Sequence, residues 1–241
     1  MRNSYLYFSL LVQFYVLLHN DNLEYEFLNY ATMKYEHIIF DIDGTLLDTE
    51  FAVLHSLQDI VMQHLNRCIP IGELTFALGI PGEVTLANLG IKDIKEANKC
   101  WNDKMVKYQH HIRLFDGVRN MLDALHNKGC RLGVITSKTK EEYKTDFIPH
   151  GVGHYFDSVI CVDDSAKPKP NPDPLFTYLK RNGVLAKDVI YIGDTQYDSM
   201  CAHSAGVDFG LALWGCHNSS NIECEYQFES PDKIVMEYGK Q

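Results

Sequence analysis

The hydrophobic pattern changes rhythm twice along the chain. Residues 36–40 are a short apolar, β-branched run that stops at Asp41, the pattern of a buried strand feeding a functional loop. From residue 50 to about residue 112, Phe51, Leu54, Leu57, Ile60, Val61 and Leu65 recur at helical spacing, and Ala97, Trp101, Met105 and Tyr108 do so again. Pro70, Gly72, Gly79, Pro81, Gly82 and Gly90 divide this stretch, so it predicts an all-helical module of several short helices. After Phe115 strand and helix alternate. The expected elements are a helix over 118–125 stopped by Gly129, a strand over 131–135, and a helix over 141–148 ending before Pro149. A strand over 159–162 follows, then a helix over 174–181 with Pro174 in its first turn. A strand over 189–192, a helix over 196–205 ended by Gly206 and a strand over 207–213 complete the series.

Repeated strand–helix–strand units imply a parallel sheet covered on both faces. The expected fold is α/β: a Rossmann-like, doubly wound core from residues 33–49 and 113–241, with the helical module 50–112 inserted. In such sheets ligands bind beyond the carboxyl ends of the strands. Asp41, Thr136 and Asp194 each follow a predicted strand, and Lys169 lies in the loop after a fourth.

Composition narrows the function without naming it. The 241 residues are 46% hydrophobic and 22% charged, ordinary for a globular chain. A net charge of −10 argues against a nucleic-acid partner, which needs clustered Lys and Arg. A phosphorylated small molecule is compatible with it, because one site can be positive on an acidic protein. The seven cysteines are scattered with no Cys-x-x-Cys pair, so neither zinc site nor disulfide framework is expected, and a reducing cytoplasm fits. Residues 5–18 are mostly apolar behind Arg2, too short for a membrane span of ~20 residues and without a small-x-small cleavage site. Met33 is therefore read as the natural start and residues 1–32 as an upstream extension. No membrane partner is expected, and the chain is expected to be a monomer.

The candidate chemistry begins at Asp41-Ile42-Asp43-Gly44-Thr45. Two carboxylates two residues apart, just past a strand, face one rim. Asp41 can attack phosphorus as a nucleophilic carboxylate. Asp43, when protonated, can donate to the leaving oxygen and then deprotonate water. Asp-Gly turns are common, so this run alone is weak evidence. Thr136 and Ser137 can offer hydroxyl and amide bonds to phosphoryl oxygens, or can cap the helix near Lys140. Lys169 sits in the proline-stiffened run Lys167-Pro168-Lys169-Pro170-Asn171-Pro172, where an ammonium is held with little entropy loss. Asp194 and Asp198 are four apart around a helix start; with Asp41 they make a hard-cation site suited to magnesium. Asp41, Asp194 and Asp198 sum to three negative charges, which magnesium and Lys169 balance.

With these residues in order, the chain resembles the haloacid dehalogenase superfamily. Asp41 resembles its nucleophile and Asp43 its acid/base. Thr136 and Lys169 are similar to its phosphate-binding positions, and Asp194 and Asp198 to its acidic metal-site pair. Lys169 is preferred to Lys167 because Lys-Pro-x-Pro-Asp is the family spacing. The resemblance implies magnesium held by Asp41 and Asp194 side chains and the Asp43 backbone carbonyl. It also implies that residues 50–112 are a helical cap, as in the phosphoglycolate-phosphatase-like branch. A cytoplasmic phosphatase acting on a small, phosphoglycolate-type phosphomonoester is then expected.

Other readings stay open. A phosphomutase of the beta-phosphoglucomutase type keeps both aspartates but often carries His three residues after the Glu of the first motif. Val53 stands there, and His55 is out of register. Pyrophosphatase or nucleotidase activity is compatible with the motifs, as substrate choice lies in the cap. From another class, a phospho-acceptor module or an inactive binding relative would use similar residues. His150 and His154 are separated by glycines and are not expected to bind zinc. Residues 79–82 form either a cap loop over the site or a plain helix connection.

Overall fold

The computed structural model describes residues 34–238; the N-terminal extension and its apolar stretch lie outside the described residues. The core is one six-stranded sheet in the order β5-β4-β1-β6-β7-β8, every neighbouring pair parallel. Its strands are β1 (His37–Phe40), β4 (Arg131–Ile135), β5 (Ser158–Ile160), β6 (Val189–Gly193), β7 (Asp208–Ala212) and β8 (Tyr226–Phe228). All four residues of β1 are buried, as expected of a strand covered on both faces. Successive side chains point to opposite faces. Ile38 and Phe40 pack with Leu132, Val134 and Ile192 on one side, and Ile39 with Ile135 and Tyr191 on the other.

Helices cover both faces. On the Phe40 side lie α4 (Val118–Asn127), through Met121 and Leu125, and α8 (Pro231–Tyr238), through Ile234. On the Ile39 side lie α6 (Asp173–Asn182), through Leu175 and Tyr178, and α7 (Gln196–Ala205), through Cys201 and Ala202. The chain runs from β1 outward to β4 and β5, then returns to β6 beside β1 and continues to β7 and β8. That reversal puts the crevice at the carboxyl ends of β1 and β6, where Asp41 and Asp194 follow.

Residues 50–112 carry α1 (Glu50–Leu65), α2 (Gly82–Asn88) and α3 (Ile94–Tyr108), with short 3-10 turns between. They bury an apolar cluster of their own, including Leu54, Leu57, Ile60, Leu86 and Ala97. Trp101 closes that cluster and donates its indole N–H to Ser56 Oγ at 2.8 Å. Both crossings into this module pass through an antiparallel ribbon of β2 (Leu47–Asp48) and β3 (Arg113–Leu114).

The expected strand over 159–162 ends sooner, at Ile160. Asp164 Oδ2 accepts from the Cys161 amide at 3.1 Å and turns the chain into a 3-10 coil. The expected helix over 141–148 is one α turn, α5 (Lys140–Glu142), widening to a π turn over Tyr143–Phe147. There Thr145 Oγ1 donates back to the carbonyls of Glu141 and Glu142, an arrangement that loosens helical coiling. Strand β8 and helix α8 are additional to the elements expected from the pattern. No helix among the described residues is long and apolar enough to cross a membrane.

Candidate active site

Asp41 is fixed by the sheet before its side chain is considered. Its amide donates to Ile192 O at 2.9 Å, one residue beyond β1, so the ladder itself aims the carboxylate over β6. Thr136 is held in the same way, its amide donating to Ile160 O at 3.0 Å. At Gly44 the chain turns with φ +81°, and a Cβ there would stand 2.1 Å from Asp194 Oδ2. Glycine is required for both reasons. The Gly44 amide donates to Leu47 O at 2.8 Å and so closes the turn.

The charged centre is a buried network. Lys169 Nζ lies 3.0 Å from Asp41 Oδ2 and 2.7 Å from Asp198 Oδ1, with 1% of its side chain exposed. Lys167 is exposed, so Lys169 is the lysine brought to the carboxylates. Burial works against the Lys169 ammonium, yet Asp198 and Asp41 more than offset it and hold it above its ordinary range. Tyr191 donates to Asp198 Oδ1 at 2.8 Å. Thr195, the N-cap of α7, donates its hydroxyl to Asp198 Oδ2 at 2.5 Å and its amide at 3.1 Å. Asp194 Oδ1 accepts from Thr45 Oγ1 at 2.9 Å.

Asp41, Asp194 and Asp198 each place a carboxylate oxygen within 4.8 Å of the others, all buried. Three carboxylates against one ammonium leave an excess of negative charge out of water, which is costly unless a cation joins them. Asp41 Oδ1 is buried with no hydrogen-bond partner. An all-oxygen donor set of this kind fits a hard cation such as magnesium. Asp41 and Asp194 line the cavity, whereas Asp198 lies behind them with both oxygens already hydrogen-bonded.

The carboxyl groups record the same excess. Burial, opposed by Lys169 and reinforced by Asp198 and Asp43, pushes Asp41 up to about 7. Burial, then Asp198 and Asp41, holds Asp194 well above the carboxylate range. A carboxyl raised in the folded state binds protons more tightly there than when unfolded. Its contribution to stability is therefore full below the unfolded value and is lost as pH rises through the folded one. In EDTA the melting temperature is expected to fall between about pH 5.5 and about pH 8, and magnesium is expected to raise it more at the higher pH. A melting temperature in EDTA that is flat across this window would contradict the buried-carboxylate account.

Asp43 has an ion-pair partner absent from the sequence reading. Lys138 Nζ is 3.2 Å from both Asp43 Oδ1 and Asp146 Oδ2. The Asp43 contact is a charge contact without hydrogen-bond alignment. Ser137 lines the cavity and donates to Gly79 O at 3.1 Å. Thr136 is buried off the cavity wall, its Oγ1 accepting from the Lys138 amide at 3.2 Å. Neither hydroxyl caps the next helix, because Thr139 does so with Glu142.

Residues 79–82 lie over the site and line it through Gly79, Ile80 and Gly82. Gly79 has φ +80°, and a Cβ would meet Thr195 Cγ2 at 2.6 Å. Gly79→Ala is expected to lift this loop and lower kcat/KM for p-nitrophenyl phosphate by about tenfold, the cost of a strained close contact. Unchanged kcat/KM would show that the approach of Gly79 to Thr195 has no part in turnover. A second overlooked segment packs on the first motif from the other side. Trp214 Nε1 donates to Thr45 O at 2.9 Å, and Gly215 lies directly against the Gly44 carbonyl. Among the described residues no other group of His, Cys, Asp or Glu is clustered for a metal; His150 and His154 form none. Among the described residues no disulfide joins the cysteines.

Comparison with known proteins gives one family. The model of the haloacid dehalogenase-like hydrolases matches residues 38–212. A putative pyrophosphatase PpaX of Caldanaerobacter subterraneus is 30% identical over 183 residues, 76% of this chain and 83% of that protein. A phosphoglycolate phosphatase of Xanthomonas campestris is 30% identical over 185 residues, 74% of this chain and 83% of that protein. The crystal structure of a putative phosphoglycolate phosphatase from Lactobacillus plantarum aligns with a TM-score of 0.78 at 27% identity, covering 85% of this chain and 99% of that one. A putative beta-phosphoglucomutase from Thermotoga maritima, with a TM-score of 0.66 at 21% identity and covering 83% of this chain and 97% of that one, is alike in fold.

Proposed function

The chain belongs to the haloacid dehalogenase-like hydrolase family and is a phosphatase, and we propose that it hydrolyses a small phosphomonoester with magnesium, through an aspartyl-phosphate on Asp41. The observation that carries this reading is the state of Asp41. One carboxylate oxygen is paired with Lys169, the other is buried without a partner, and the side chain lines the cavity with Asp43 two residues on.

Asp41 and Asp194 would hold magnesium by side-chain oxygens, and Asp43 by its backbone carbonyl as the family resemblance implies. When bound, the ion would supply positive charge to the phosphoryl oxygens. Lys169 orients Asp41 and adds charge beside the phosphoryl group. Asp198 is proposed to act behind the metal-facing pair, holding Lys169 in place. Ser137, on the cavity wall at the end of β4, would offer its hydroxyl to a phosphoryl oxygen, while Thr136 lies off the wall behind it. Asp41 attacks phosphorus, the ester P–O bond breaks, and its electron pair leaves on the alcohol oxygen, which takes the Asp43 proton. Asp43 then takes a proton from water. The water oxygen attacks phosphorus, and the bond to Asp41 breaks to return the free carboxylate and phosphate.

Transfer to a second hydroxyl, as in a mutase, is less well supported. Val53 stands on the cavity wall at the position where those enzymes often carry His. His55 is stacked on Phe51 at 3.7 Å and bonded to its carbonyl. Residues 50–112 are proposed to act as the cap and the β2–β3 ribbon as its hinge, with closure excluding water from the acyl phosphate. The cavity of about 330 Å³ suits a substrate of phosphoglycolate to monosaccharide size, near the lower end of ligand cavities.

Turnover of p-nitrophenyl phosphate should require magnesium, stop in EDTA and return on adding the ion; full activity in exhaustively chelated protein would remove the metal assignment. Asp43→Asn is expected to slow both chemical steps by ~10²–10⁴-fold through loss of proton transfer. An unchanged rate at neutral pH would deny Asp43 that role.

A further inference from the structure

Beyond the phosphoryl site the cavity wall is acidic. Asp48, Glu50, Glu142 and Asp146 lie on it, and the basic side chains there are Lys138 and His217. Both are committed to carboxylates. Lys138 Nζ is 3.2 Å from Asp43 Oδ1 and from Asp146 Oδ2, and His217 Nε2 is 3.3 Å from Glu50 Oε2. Glu142 meets neutral donors, the Thr139 amide and hydroxyl at 2.7 and 2.9 Å and Asn102 Nδ2 at 3.0 Å. Asp48 pairs at 3.4 Å with Arg113, which is exposed and off the wall. Among the described residues, then, no lining Lys or Arg is left to receive a carboxylate or a second phosphate.

The phosphoryl group would be received beside Lys169 and the metal that Asp41 and Asp194 would hold. Any further negative charge on the substrate would face the excess of carboxylates on the wall of a cavity that is partly open to solvent. A like charge several ångströms away in such a medium lowers affinity by about tenfold or more. The rest of the wall is complementary to an uncharged group. Val53, Trp101 and Met105 supply apolar surface, and the Asn98 amide a neutral polar one.

We propose that the leaving group of the substrate carries no negative charge. The substrate is a phosphorylated alcohol whose remainder is neutral or cationic, lying against Val53, Trp101 and Met105. This rests on the phosphatase reading above and narrows it, because it disfavours both phosphoglycolate and pyrophosphate, whose leaving groups are anionic.

The test uses the full chain with magnesium and three substrates of similar size. These are phosphoglycolate (anionic remainder), glycerol 3-phosphate (neutral) and phosphoethanolamine (cationic), with p-nitrophenyl phosphate as reference. The neutral and cationic substrates are expected to exceed phosphoglycolate in kcat/KM by about tenfold or more. Where turnover is slow, the inhibition constants against p-nitrophenyl phosphate should follow the same order. Glu50→Gln, which removes one wall charge and frees His217, should narrow the gap severalfold while turnover of the reference stays near wild type. Phosphoglycolate equal to or better than glycerol 3-phosphate in wild-type protein would overturn the proposal while leaving the phosphatase reading standing. Absence of magnesium-dependent turnover of the reference would remove that reading, and this proposal with it.

Discussion

Asp41→Asn is expected to abolish turnover in a protein that still folds. The amide matches the carboxylate in size but cannot act as the attacking group, and removal of a nucleophile can cost on the order of 10⁶-fold in kcat. The fold should survive because the backbone of Asp41 is held by the Ile192 carbonyl, whatever its side chain. The substitution also takes one negative charge from a crowded group of buried carboxylates. In EDTA near neutral pH the variant should therefore melt no lower than wild type. Activity on p-nitrophenyl phosphate within tenfold of wild type would exclude Asp41 as nucleophile, whatever the melting temperature.

The second large effect is expected on stability. Lys169→Met would leave Asp198, which is fully buried, and Asp41 without their ammonium. Breaking a buried ion pair from one side costs ~3–5 kcal/mol, a large share of the ~5–15 kcal/mol that keeps a domain folded. Magnesium should recover part of the loss through Asp41 but not the part due to Asp198, whose oxygens bond inward. Lys169→Arg should not rescue, because a planar guanidinium does not fit a pocket shaped around one nitrogen. Lys167→Met, two residues away and exposed, should change stability by no more than about 0.5 kcal/mol. Denaturant unfolding in EDTA measures all three. Equal losses for Lys169→Met and Lys167→Met would show that the network does not hold the fold.

The layout of the site was legible because strand ends are legible. A buried apolar run halting at Asp41, and another halting at Asp194, imply polar groups at one sheet edge, and β1 and β6 are neighbours in the sheet. The same logic brought Thr136 and Lys169 to that edge. Partners that reach the site by length or from within the core gave no such signal. Tyr191 reads as one more large residue in β6, yet its hydroxyl donates to Asp198 Oδ1 at 2.8 Å and lies 3.2 Å from the Ile135 carbonyl. Lys138 follows two hydroxyl residues and reads as a solvated loop lysine, while its stem turns in toward Asp43. Thr45 within the Asp-Gly turn and Trp214 beyond β7 act across more than a hundred residues of sequence, where periodicity is silent.

The fold diverged from expectation for similar reasons. Strand β8 has three residues, Tyr226–Phe228, too few for alternation to declare itself. Helix α8 carried its signal at Ser230-Pro231, a helix start with proline in the first position, and packs Ile234 into the core beside α4. The π turn over Tyr143–Phe147 keeps the apolar spacing of a helix, so only its hydrogen bonds distinguish it.

The central claim is a covalent phosphate on Asp41, and rapid acid quench with a substrate radiolabelled on phosphorus tests it directly. Wild type should show a transient acid-stable label, and Asp43→Asn a longer-lived one. In both the label should be released by hydroxylamine, as acyl phosphates are, and should map to the peptide containing Asp41. Burst-free turnover with no protein-bound label in either protein, or a label mapping to any other residue, would contradict the account.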